Sequence, residues 1–349
     1  MWSEQNSGKR LVSAAELLNS AIHDRLCPRG IFVSNPYTVE LTAPDISAYK
    51  AGNTGIDYVH TFDSGMAGPH AMINAAIHGN EICGAIALDL FLREGLRPTR
   101  GKLTLCFVNP AAYVTFNPER PSASRFVDED MNRVWTEDQL DGPGQSVELA
   151  RARTLRPLYD QVDYLLDIHS MGTDSPPIML CHGLAKEKKL AADMTYPKTV
   201  ACGSGHVQGR RLIEYTPFND VTNHKTALLI ECGQHWLKGT APVAIDTALH
   251  YLRALDLVPA AFFDAHVTTA KPEPQWFLEV TDGYAPQSED FQFASEYQGL
   301  EVFPAAGTVI AIDGGQDVTT PYDDCVLVMP NHNARKGQRA LRLARQIDI

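Results

Sequence analysis

Apolar residues along this chain fall into short unbroken runs separated by stretches with helical periodicity. Residues 71–77 (AMINAAI), 103–108, 164–168 (YLLDI) and 227–230 (ALLI) read as strands buried on both faces. Around them, residues 82–94, 146–161, 184–194 and 241–256 carry the spacing of helices with an apolar face. One more helix is predicted near the start, where Ser13 and Glu16 make a capping box ahead of Leu17, Leu18 and Ile22. Residues 28–62, rich in Pro, Gly and Asn, read as an approach loop with short strands, and residues 110–145 as a polar excursion. Strands alternating with helices predict an α/β fold whose mostly parallel or mixed sheet is covered by helices.

The pattern changes after Lys271-Pro272-Glu273-Pro274, which reads as a linker. Short runs at 276–280, 308–312 and 325–329 follow, separated by Gly and Asp turns such as Asp313-Gly314-Gly315. Two domains are therefore expected: a larger α/β domain over 1–270 and a small all-β domain over 271–349.

Composition narrows the partners more than the fold. A formal net charge of −12, with no basic run to offset it, argues against nucleic acid and anionic membranes. No apolar run approaches the ~18 residues of a membrane span, and the N-terminus MWSEQNSGKR has no apolar signal region. Seven scattered cysteines without a CxxC pair suit reduced, buried thiols in a cytoplasm.

The candidate chemistry lies at the ends of the apolar runs. His78 and Glu81 follow the first, His169 the third and Glu231 the fourth. In an open α/β sheet the carboxyl ends of the strands face one crevice, so these four side chains are expected to converge. Two imidazoles and two carboxylates suit one divalent zinc held by His78, Glu81 and His169, with Glu231 left as a separate base. Such a site activates water for hydrolysis, and Glu231 would carry the proton to a leaving amine. Asp167, two residues before His169, either orients an imidazole or faces elsewhere. A third cluster, Arg125 to Arg133, brings two arginines and Asn132 to the same side. Alone it reads as a solvated charged loop. Beside the strand-end set, its guanidinium forks suit a substrate carboxylate and a developing oxyanion. Cys83 and Cys232, close to these residues in sequence, read as buried packing groups. Of the other histidines, among them His182, His206 and His224, only His235 is expected near the site.

HGNE at 78–81, the RxxDxDxNR stretch from Arg125 to Arg133, DIHS at 167–170 and the Glu231-Cys232-Gly233 triplet resemble the succinylglutamate desuccinylase/aspartoacylase family. This family of zinc hydrolases is related to the metallocarboxypeptidases. The resemblance implies a zinc-carboxypeptidase-like fold and one zinc on His78, Glu81 and His169, with Glu231 as general acid/base. It further implies carbonyl polarisation by Arg125, a carboxylate clamp of Asn132 and Arg133, and a tyrosine from the C-terminal domain, for which Tyr284, Tyr297 and Tyr322 are available. One departure stands out. Aspartoacylases carry an arginine about ten residues before the catalytic glutamate to grip an acidic side chain, yet residues 215–230 contain only Lys225 as a cation, with Arg210 and Arg211 further back. A neutral or basic amino-acid moiety is therefore at least as well suited as an acidic one.

The expected activity is removal of an acyl group from a small N-acyl amino acid. The alternative is a cytosolic metallocarboxypeptidase acting on short peptides. A binding protein on a retired hydrolase scaffold is a third reading, opposed by Glu231 standing intact beside all three ligands. A homo-oligomer is compatible with everything in the sequence.

Overall fold

A parallel ladder at the centre of the molecule fixes where the strand-end residues go. In this computed structural model, which describes residues 37–203, 209–269 and 273–349, β1 (Val59–Asp63), β2 (His70–Ala75), β3 (Lys102–Phe107) and β4 (Tyr164–Met171) lie at one end of a large sheet. β5 (Ile178–Cys181), β6 (Thr199–Cys202), β7 (Thr226–Gln234) and β8 (Trp276–Tyr284) continue it. Among the described residues the order is β1-β3-β2-β4-β7-β5-β6-β8, followed by β14 (Leu341–Gln346), β13 (Cys325–Val328) and β10 (Val302–Phe303). The β3–β2–β4–β7 core is parallel, while β1 and β5 join it antiparallel. The predicted opening helix, His206 and residues 271–272 of the predicted linker lie outside the described residues.

Both faces of the central strands are buried, which explains their unbroken apolar sequences. One face carries Ile73, Leu105, Ile168 and Ile230 against helices Ile82–Arg93, Ala185–Met194 and Thr240–Ala254. The opposite face carries Met72, Leu165, Ala227 and Leu229 against Trp135 and helix Val147–Tyr159. Because strand residues two apart share a face, Asp167 and His169 of β4 and Glu231 of β7 project on this second side. His169 and Glu231 are direct neighbours across the parallel β4/β7 ladder.

Two strands run further than their apolar runs predict. β4 continues past His169 to Met171 and β7 past Glu231 to Gln234, so both polar residues sit inside the ladder rather than beyond it. Pairing there continues through the polar side chains, His169 opposite Glu231, and a register shift then sets Met171 opposite Gln234. The C-terminal segment also differs in its pairing. β8 pairs with β6 and carries β14, β13 and β10 into the same large sheet. Only β9 (Gln292–Phe293), β11 (Val309–Asp313) and β12 (Gln316–Thr319) make a separate small antiparallel sheet. Residues Val39–Ile349 form one compact unit.

Candidate active site

His78 stands on a turn with almost no spare volume. A Cβ on Gly79 would fall 2.4 Å from Ala112 C and Ser124 O and 2.5 Å from Tyr113 N. Only glycine lets this backbone pass under residues 110–124. Gly79 N also donates to Arg125 O at 3.1 Å, which ties the turn to the excursion carrying Arg125. The excursion is held from below by Glu148, a fully buried carboxylate. It accepts from Asn109 Nδ2 and from the backbone N–H groups of Val127, Asp128 and Glu129. The charged stretch 125–133 is thus fastened over the sheet rather than left in solvent.

Glu81 is the N-cap residue of helix Ile82–Arg93, yet its side chain makes no capping bond. Its Oε1 lies 2.8 Å from His78 Nδ1, and its Oε2 lies 2.9 Å from His169 Nδ1 and 3.1 Å from Ser170 N. All three residues are buried, with one donor atom from each within 4.8 Å of the others. The far nitrogen of each ring faces a carboxylate: His78 Nε2 lies 2.8 Å from Asp130 and His169 Nε2 2.9 Å from Asp167. Each ring is thereby oriented with its Nδ1 toward Glu81. Against the opposing push of burial, His78, Arg125 and Arg133 hold the Asp130 carboxyl well below its ordinary range. Three carboxylates, Glu81, Asp130 and Asp167, stand around the cup against two guanidinium groups, Arg125 and, 4.0 Å from Asp130, Arg133. The cup's donor set and its charge both fit one divalent cation of the borderline kind that takes nitrogen and oxygen together.

Glu231 faces the same cavity, and its Oε2 is buried without a hydrogen-bond partner. Burial pushes its carboxyl up to about 8; Glu81 adds to the push, while His169, Arg125 and Arg342 oppose it. Arg125 reaches Glu81 at 3.3 Å and Asp130 at 3.2 Å. Asn132 accepts from Leu212 N at 2.8 Å, and Arg133 donates to Asn132 O at 2.7 Å. His235 also lines the cavity, 2.8 Å from Ser170 Oγ, and burial lowers its imidazole to about 4. Cys83 and Cys232 are buried in the helix-covered core.

The cavity holds about 350 Å³, the size of a small-molecule site. All seven residues singled out in the sequence, His78, Glu81, Arg125, Asn132, Arg133, His169 and Glu231, line it. Lys225 and Arg210 do not: Lys225 donates to Val162 O, and Arg210 pairs with Glu137. Among the described residues no tyrosine lines it. Tyr284 bonds Asp313, Tyr322 bonds Thr281, and Tyr297 packs among Phe293 and Phe303. The C-terminal segment contributes Met329, Pro330, Asn331, Arg339 and Arg342 instead, and Arg211 completes the wall. Sequence reading named Arg211 only as a cation further back, and it left out the C-terminal contributors because none belongs to a motif. Asp130 alone carried a signal, through its place in the RxxDxDxNR stretch.

No helix among the described residues is long and apolar enough to cross a membrane. Residues 67–233 match the profile of the succinylglutamate desuccinylase/aspartoacylase catalytic domain. A succinylglutamate desuccinylase of Shewanella frigidimarina is 23% identical over 339 residues, covering 88% of this chain and 90% of that protein. Among solved structures, the succinylglutamate desuccinylase of Vibrio cholerae superposes with a TM-score of 0.60 at 16% identity, covering 84% of this chain and 86% of its own. A succinylglutamate desuccinylase/aspartoacylase structure from Rhodobacter sphaeroides gives 0.59 at 16% identity, covering 81% and 87%. Profile, curated relative and fold agree, and over residues 67–233 this chain is similar to the catalytic domain of the succinylglutamate desuccinylase/aspartoacylase family.

Proposed function

We propose that this protein is a zinc-dependent amidohydrolase that removes the acyl group from a small N-acyl amino acid. The observation that carries this reading is the unpartnered buried Oε2 of Glu231 facing the cavity lined by the His78–Glu81–His169 cup. His78, Glu81 and His169 would hold the ion, which when bound supplies Lewis acidity toward a carbonyl and acidifies water.

The chain's own groups account for the rest. A carboxyl poised near neutrality suits proton transfer in both directions. Glu231 takes a proton from the attacking water and returns it to the leaving amine nitrogen. Arg125 donates to the carbonyl oxygen as negative charge develops there. Asn132 and Arg133 hold the amino-acid carboxylate, the planar fork giving orientation as well as charge. Residues 1–270 act as the catalytic domain and 271–349 as the β domain that closes one wall. A cytoplasmic location accords with six described cysteines that are all buried and free.

The test is steady-state turnover of zinc-supplemented protein on N-acetyl and N-succinyl amino acids beside dipeptides, together with elemental analysis. Expected are one zinc per chain, loss of activity in chelator, and acyl amino acids preferred to dipeptides. Full activity in chelator from protein without transition metal would overturn the reading.

A further inference from the structure

β5 and β6 run parallel and end together, with Cys181 and Cys202 as their last residues and as cross-strand partners. Gly203 N donates to Cys181 O at 3.0 Å, which holds the two strand ends side by side. Both side chains belong to the packed face that includes helix Ala185–Met194, together with Met179, Val200 and Leu190. Their sulfurs lie 2.9 Å apart, and both residues are buried. Neither lines the active-site cavity.

Adjacent strands stand ~4.8 Å apart, inside the ~4.4–6.8 Å window of Cα separations that a disulfide spans. The two sulfurs need to close by less than ~1 Å to reach bonding distance. The pair is also asymmetric. Cys181 Sγ donates to Cys202 Sγ, and that contact lowers the Cys202 thiol below its ordinary range, with burial opposing and Lys188 assisting. The same contact, with burial, pushes the Cys181 thiol well up. Burial also raises Cys106, Cys232 and Cys325. Since the thiolate is the nucleophile in sulfur chemistry, Cys202 is the sulfur set to react and Cys181 the one set to resolve. A dithiol can instead hold a soft cation, but among the described residues no third ligand stands with this pair.

We propose that Cys181 and Cys202 are a redox-reactive pair that a small hydroperoxide converts to a disulfide, reversibly fastening β5 to β6. The Cys202 thiolate attacks one peroxide oxygen, the O–O bond breaks, and hydroxide leaves Cys202 as a sulfenic acid. Cys181 sulfur then attacks Cys202 sulfur, the S–O bond breaks, and the Cys181 proton departs with the hydroxyl group as water. In sum, two thiols and hydrogen peroxide give one disulfide and two waters. The burial of both sulfurs favours an oxidant little larger than water over a bulky disulfide reagent. The link has a place to act. β5 sets Ile178 opposite Glu231, and Leu180, one residue before Cys181, lines the cavity. The disulfide would therefore secure the strand that flanks the buried base.

The test treats full-length, zinc-supplemented protein, reduced and then freed of reductant, with hydrogen peroxide under native conditions. Intact mass and peptide mapping without reduction give the readout. Expected are loss of two hydrogens per chain, a cross-linked peptide joining Cys181 to Cys202, and return to the starting mass in dithiothreitol. The oxidised chain should also melt higher than the reduced one, because the link constrains the unfolded chain. Cys181→Ser should stop at a sulfenic acid on Cys202, trapped by dimedone. Cys202→Ser should give no disulfide at Cys181, while Cys106→Ser should oxidise as wild type does. A chain that keeps its mass overturns the proposal, as does one that gains oxygen without losing hydrogens or that links Cys83 to Cys232 instead. If the link forms with no rise in melting temperature, the fastening of β5 to β6 fails. Should the serine variants not fold, the wild-type map decides by the same criteria.

Discussion

The cavity has two sides built on opposite principles. At the His78–Glu81–His169 cup, Glu81 and the two imidazoles are held by carboxylates, guanidinium or backbone, and the pieces come from a turn locked at Gly79, a helix N-cap and strand β4. At the other side, Arg342 stands on β14 and Arg339 just before it, and among the described residues neither has a carboxylate within ion-pair distance. A preorganised set of donors suits a fixed ion that is always present. An unmatched set suits a ligand that comes and goes, because that ligand supplies the missing charge. The difference separates what the protein keeps from what it exchanges.

The largest effect is expected at Glu231, which faces both sides. Glu231→Gln keeps the shape and removes the base, so kcat should fall by ~10²–10⁴ while bound zinc stays the same. Retained turnover would hand the proton step to another residue. Next in size is Asp167→Asn, which weakens the support of one ring. Zinc affinity measured by competition with a chelator should drop by ~10–100-fold. No change would mean that the Asp167–His169 contact is only packing.

A matched pair of glycine substitutions then contrasts the two sides directly. Gly79→Ala drives a Cβ into three backbone atoms and should cost about 1–3 kcal/mol of stability along with activity. Gly283→Ala meets only the flexible side chain of Arg339, so the melting temperature should move little. Similar melting shifts in both variants would erase the distinction drawn here.

The smallest expected effect lies outside the cavity, at Asp313. Hydrogen bonds from Ser288, Gln287 and Tyr284 lower its carboxyl to about 2. Its folded value lies below the ~3.9 of an unfolded aspartate, so its stabilisation is present above that value and fades as pH falls toward 2. Asp313→Asn should therefore melt below wild type near neutrality, with the gap closing between about pH 4 and 2. A gap that persists at pH 2 would contradict the assignment.

The cup was legible in the sequence because its members follow apolar runs, and strand ends of a parallel core meet at one crevice. The helices were legible for the same reason of period. What stayed hidden was pairing over distance. Asp130 meets His78 across 52 positions, and Glu148 fastens a loop some twenty residues before it. Arg342 has no motif at all; only β14 pairing with β8 brings it to the wall. Short alternating strands such as 276–280 announce that they are strands without announcing their neighbours. Thus the C-terminal run could be read as all-β while its attachment to the large sheet could not.

That attachment has a consequence for how the chain may be cut. β6 has β5 on one side and β8 on the other, all through backbone hydrogen bonds. A product ending before Trp276 would leave β6 with a row of unanswered N–H and C=O groups flanked by apolar side chains. Such an edge is a template for a strand from another copy. The C-terminal segment thus shields that edge of β6, and proteolysis near residue 273 should yield aggregates rather than a smaller folded product.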